Sequence, residues 1–180
     1  MNNKGSTLVL LVIVIAIVIV LGVSILNISM MQYELKRFNT ESKKTFYMSE
    51  TGLNVAFVDA YGLMEEATEV SLEKAEEYLF LFPLNEMEAE NIFEESYKLY
   101  VTANLENRVY RGLNPIVEVT NGGTLVFIDD KLTANVMSKY NSENVEKNAC
   151  VDLIILVPGY YDVKNNVFDL HDYLEFDNWS

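Results

Sequence analysis

Fourteen consecutive apolar residues, Leu8 to Leu21, open the chain, and no charged residue occurs between Gly5 and Tyr33. As a helix rising ~1.5 Å per residue, Leu8–Ile28 spans roughly 30 Å, the thickness of one hydrocarbon core. A cleaved secretory signal has a shorter apolar core, roughly 7–15 residues, and then a small-residue cleavage site. Here Gly22 and Ser24 are scattered and no proline follows. Helical character runs on through Met30-Met31-Gln32-Tyr33-Glu34-Leu35. The pattern is that of a membrane helix retained in the protein.

Charge divides the chain. The 180 residues carry 13 Lys/Arg and 27 Asp/Glu, a net charge of −14. Residues 1–44 hold five of the basic residues and two acids, so the remainder holds eight and 25. A surface this acidic excludes nucleic acid as a partner, because phosphate binding needs a basic face. It also opposes lying on anionic lipid. Its ordinary consequence is a solvated, self-repelling domain. The one cysteine, Cys150, allows no disulfide within these residues. It lies in the apolar run Cys150–Val157, where a small core hydrophobe is expected.

Periodicity outlines the rest. The first helix is expected to continue to about Tyr61, with Leu53, Ala56, Phe57, Ala60, Tyr61 and Met64 as an apolar stripe packed on a core. Gly52 within it costs about 1 kcal/mol relative to alanine. Ser71 is placed to cap a second helix that Pro83 stops. Asn85 and Glu88 have capping-box spacing for a third, to about Glu95. Tyr97–Leu105 alternates with period two and reads as a half-buried strand. Ile116–Thr120 and Thr124–Ile128 read as a hairpin about Asn121-Gly122-Gly123. Asp130–Tyr140 is ambiguous and read as a short helix at most. Cys150–Val157 reads as the central strand. Tyr160–Val163 and Val167–Leu170 read as a last hairpin. Together these give an α+β fold: a long helix, then four to six mostly antiparallel strands.

Chemistry-bearing motifs are few. His171 beside Asp172 is half of a hydrolytic pair, yet no Gly-x-Ser-x-Gly elbow accompanies it. A surface histidine, and no enzyme, is the expectation. No phosphate loop, zinc pattern, dinucleotide fingerprint or EF-hand spacing occurs, so no cofactor or metal is expected. Between Tyr160 and Trp179 aromatic and acidic residues intermingle, a mixture that can bind sugars or calcium. Edge strands with rings folded onto the core are the plainer reading.

Two short stretches carry a resemblance. Lys4-Gly5 followed by Ser6-Thr7-Leu8-Val9 resembles the processing site of a type IV prepilin. Phe46-Tyr47-Met48-Ser49-Glu50-Thr51-Gly52-Leu53-Asn54 resembles the segment closing the N-terminal region of PilX-type minor pilins. The likeness covers about residues 4–55. It implies that a membrane peptidase cleaves between Gly5 and Ser6 on the cytoplasmic side and that Ser6 is then N-methylated. It implies a leader (1–5), a transmembrane and filament-core helix (6–33) and an exported globular domain (34–180) with a pilin-like roll. The implied partners are the prepilin peptidase, other pilin subunits and, before assembly, membrane lipid. The implied location is the bacterial cytoplasmic membrane, crossed once, and then a surface pilus. Lys36, Arg37, Lys43 and Lys44 follow the span and, by the positive-inside rule alone, would hold the domain in the cytoplasm. The resemblance implies the opposite orientation.

One position departs from the family. Most pilins carry glutamate at the fifth mature residue, which here is Leu10. That points to a minor pilin or pseudopilin that primes or caps a filament. A permanently anchored extracellular binding module is the alternative.

Overall fold

The computed structural model describes residues 4–120, 125–142 and 145–179, with the side chains of residues 4–6 outside that description. The fold is α+β. The first helix, α1 (Lys4–Leu81), is followed by α2 (Glu86–Val109), β1 (Ile116–Val119), β2 (Lys131–Asn141), β3 (Glu146–Leu156), the short helix α3 (Tyr160–Lys164), a 3-10 turn at Leu170–Tyr173 and β4 (Leu174–Asp177). The chain divides into two compact units, Met1–Lys43 and Lys44–Ser180.

In the second unit the four strands form an antiparallel meander, β1-β2-β3-β4. Register places like faces together. Leu132, Ala134, Val136 and Ser138 of β2 stand opposite Ile155, Leu153, Val151 and Ala149 of β3. Val117, Val119, Leu174 and Phe176 extend that face onto the outer strands. It buries against Leu53, Ala56, Ala60, Leu63, Met64 and Ala67 of α1 and Tyr97, Val101, Leu105 and Val109 of α2. The three alanines let helix and sheet approach closely. Each fully buried leucine contributes about 1.5–3 kcal/mol.

α1 does not end near Tyr61; it continues to Leu81. Ser71, expected as a cap, is buried within it and its hydroxyl lacks a partner. Pro83 stops the helix as expected, since the residue before a proline is pushed out of helical conformation. Asn85 stands at the N-cap of α2 but makes no capping bond. Its amide donates instead to Tyr78 Oη at 2.9 Å.

Tyr97–Leu105 is helix, not strand. Ala89, Phe93, Tyr97, Val101, Leu105 and Val109 are buried at spacing four, while Leu99 is 67% exposed. Every second member of a period-two pattern is also an i, i+4 series, so the odd positions fitted both. Good helix formers such as Lys98, Leu99, Ala103 and Glu106 decide the matter.

The expected hairpin about Asn121-Gly122-Gly123 lies partly outside the described residues. β1 pairs with β2 rather than with Thr124–Ile128. The tight turn enters β2, where Ile128 and Lys131 bond reciprocally across Asp129 and Asp130, at φ 48° and 61°. Left-handed backbone at both central positions is what a type I′ turn requires. Within Asp130–Tyr140, Asp130 is therefore turn and Lys131–Tyr140 is strand, not helix. Cys150–Val157 does fall largely in an inner strand, β3, but Cys150 is half-buried on the face away from the core. The last expected hairpin is α3, the 3-10 turn and β4. Asn166 turns the chain at φ 56°.

Gly52 has a packing reason. It is buried, and a Cβ there would overlap Ser138 Oγ and lie 3.1 Å from Ser138 Cβ and Pro115 Cγ. Gly52→Ala is expected to destabilise by about 1 kcal/mol, because overpacking of about 1–3 kcal/mol outweighs alanine's gain in helix propensity of about 1 kcal/mol. Ser138 Oγ is itself buried without a partner. Adding Ser138→Ala should recover most of the loss in a thermal melt followed by circular dichroism. A stabilising Gly52→Ala on its own would show that helix and strand are not in contact here.

On the sheet's other face, Asp152 accepts from Asn135 Nδ2 at 3.0 Å and Asn178 Nδ2 at 2.8 Å. These donors favour the carboxylate and hold it below the usual range. A depressed folded pKa stabilises above the unfolded value, and the stability is lost as pH falls through the folded one. The difference in melting temperature between the protein and Asp152→Asn should therefore shrink on acidification from pH 6 to below 4. A constant difference would show that the charge on Asp152 is irrelevant.

Candidate functional site

In the first unit, every large apolar side chain from Leu8 to Ile28 is between 48% and 70% exposed. By length and composition this is the one helix among the described residues able to cross a membrane. Its polar atoms do not oppose that. Ser24 Oγ donates back to Val20 O at 2.8 Å, and backbone groups bond within the helix. Ala16 leaves a shallow groove of about 330 Å³ with Ile13, Ile17, Val20 and Leu21. Nothing would touch a Cβ at Gly22.

Gly5 and Ser6 lie in the first turn of α1, and their side chains are outside the described residues. Leu10 is 64% exposed on the apolar surface. The span is thus a cylinder without an ionisable group, from Thr7 to Gln32. Lys36 and Arg37 follow it, fully in the open.

In the second unit, the segment Phe46–Asn54 is helical and two-sided. Phe46 and Tyr47 face outward with ring centroids 6.1 Å apart, while Ser49, Gly52 and Leu53 are buried. Ser49 Oγ donates to Phe46 O at 2.7 Å. Beside it lies a groove of about 390 Å³ formed with Thr51, Gly52 and Val55 on one wall and Arg111–Pro115 on the other. Its walls are braced. Asn114 Nδ2 donates to Asn141 O at 2.7 Å and Asn141 N–H returns to Asn114 Oδ1 at 3.1 Å. Arg111 Nη2 and Nε both donate to Asp59 Oδ2, at 2.9 and 3.2 Å. Farther along, Arg108 Nη2 meets Glu66 Oε1 at 2.6 Å. These pairs tie α1 to α2 through Arg108 and to the segment after α2 through Arg111, and add little stability each.

The His171 ring lies 4.8 Å from the Tyr61 ring, tilted by 32°, and its backbone N–H donates to Asp169 Oδ1 at 2.9 Å. Among the described residues no three His, Cys, Asp or Glu side chains converge on a metal position. The aromatic tail folds back as the plainer reading held: Phe176 lies edge-on to Phe57 at 5.0 Å and Trp179 edge-on to Phe176 at 5.4 Å.

One surface escaped the sequence reading. At the α1–α2 turn, Phe80, Leu81, Phe82, Leu84 and Met87 are all exposed, Leu84 completely. The signal in the sequence is Leu79–Leu84, an apolar run too long for one helix face. Comparison with family models, curated proteins and solved structures finds no match to this chain.

Proposed function

We propose that this protein is a minor type IV pilin or pseudopilin, a structural subunit that primes assembly of a surface filament or caps it. The observation that carries the reading is an apolar helical surface of membrane length in the helix that also supplies the core stripe Leu53–Ala67 of an α+β unit. Lys4-Gly5-Ser6 directly before that surface supports it. In the proposed mechanism the helix rests in the bilayer and is then moved into a filament. There Leu8–Ile28 exchanges lipid for the apolar surfaces of neighbouring subunits. Both surroundings are apolar, so the transfer avoids the cost of exposing this surface to water.

The test is the intact mass of the protein from a host with a prepilin peptidase. The expected product begins at Ser6 and carries a methyl group. An N-terminus that stays at Met1 leaves a permanently anchored module instead, and a cut beyond Ser24 leaves a secreted one.

Leu10 adds a further expectation. A subunit that must receive another above it needs a carboxylate for the incoming amine, because a buried charge without a partner is costly. With leucine there, the protein should be scarce in sheared filaments by quantitative mass spectrometry. Its deletion should lower pilus number more than pilus length. Abundance comparable to the total filament mass would reject the minor-subunit assignment.

A further inference from the structure

The exposed tip between α1 and α2 makes no contribution to the fold that explains its composition. The turn is held by polar contacts. Phe82 N–H donates to Tyr78 O at 2.9 Å, Asn85 N–H to Phe82 O at 3.1 Å, and Asn85 Nδ2 to Tyr78 Oη at 2.9 Å. The Tyr78 and Phe82 rings pack at 5.0 Å. Phe80, 87% exposed, and Leu84, wholly exposed, could be polar without loss of any of these. A contiguous apolar knob of this kind on a water-facing domain marks an interaction site. The braced turn also presents it without much ordering cost on binding.

Its surroundings define the occupant. Residues 73–90 hold six glutamates and one lysine, Lys74. Glu73, Glu76, Glu77, Glu86 and Glu88 are exposed around the knob. Lys164 Nζ stands 3.8 Å from Glu86 Oε1. An acidic collar repels anionic lipid and a second copy of the same tip. It matches an apolar surface bordered by Lys or Arg, and complementary charge gives such a contact its specificity and association rate. We propose that the Phe80–Met87 tip docks onto a basic amphipathic helix of a partner protein, with the apolar knob in contact and the glutamate collar paired to its Lys/Arg flanks. The inference stands on the second unit alone and holds whether or not Gly5 is a processing site.

The test uses the full chain in phosphatidylcholine nanodiscs and a fluorescein-labelled Leu/Lys amphipathic peptide followed by anisotropy, with empty nanodiscs as blank. The triple change Phe80→Ser, Leu84→Ser, Met87→Ser should weaken binding at least tenfold with an unchanged circular dichroism spectrum. Leu99→Ser with Val126→Ser, also exposed but elsewhere, should leave it within twofold. Glu76→Gln with Glu77→Gln and Glu88→Gln should weaken it several-fold and flatten its salt dependence. A tip variant that binds as well as the parent, or an equally strong Leu/Glu peptide, overturns the proposal. So does tip-dependent binding to phosphatidylcholine vesicles, which makes lipid the occupant, or tip-dependent dimerisation in sedimentation, which makes it a second copy.

Discussion

Leu63→Asp will leave the unit Lys44–Ser180 without a cooperative melting transition. Leu63 is 1% exposed and packs in the main cluster with Tyr97, Val101 and the inner face of the sheet. Truncating such a leucine to alanine costs about 2–5 kcal/mol. An aspartate adds a buried carboxylate, a further cost of several kcal/mol. Native stability is only about 5–15 kcal/mol, so the sum removes most of it. Phe57→Asp is the informative contrast. Phe57 lies at the margin of the same cluster, against Phe176. Its carboxylate can turn toward water, so the melting temperature should fall but a transition should survive. Near-ultraviolet circular dichroism against temperature separates the two. Equal effects would mean that α1 is rotated from the orientation described.

Gly5→Val will abolish processing if the proposed function holds, an all-or-none change in mass. A branched side chain replaces a hydrogen at the residue whose carbonyl is attacked, and the chain should stay at its unprocessed length when coexpressed with a prepilin peptidase. Gly22→Val serves as control. Nothing lies within 4 Å of a Cβ at Gly22, so that change should leave cleavage intact. Normal processing of Gly5→Val would remove the site from the argument and leave the apolar helix alone to support a pilin.

The features legible in the sequence were those written by long-range composition. Leu8–Ile28 shows as a membrane-length helix because nothing else tolerates so many apolar residues in a row. The stripe from Leu53 to Met64 shows because six positions agree on one period. The α+β class survived because the sheet is where the apolar residues alternate. Short patterns failed where two periods coincide. Tyr97, Val101 and Leu105 satisfy alternation and a four-residue step equally, so the apolar pattern alone does not tell them apart; helix formers such as Lys98, Leu99 and Ala103 do. Asp129-Asp130 failed as a turn signal because two consecutive left-handed aspartates are uncommon, whereas Asn121-Gly122 advertised a turn more loudly. Leu132, Ala134, Val136 and Ser138 failed because alanine and serine are weak markers of a buried face. The tip at Phe80–Met87 was invisible as a site for another reason: exposure of apolar residues is not a property of sequence.

The meander has a consequence for how the unit comes into being. Each strand pairs only with the one made just before or just after it, and α1 and α2 are likewise chain neighbours. Within the sheet no strand has to wait for a distant one, so the strand-to-strand contacts close short loops, the condition associated with fast folding. A chain released gradually from its N-terminal end would meet its partners in the order in which they emerge. First α2 settles on α1, then β1 and β2, then β3, and β4 closes last over Ile155 and Leu153. The four-residue β4 then acts as a latch on an otherwise finished sheet.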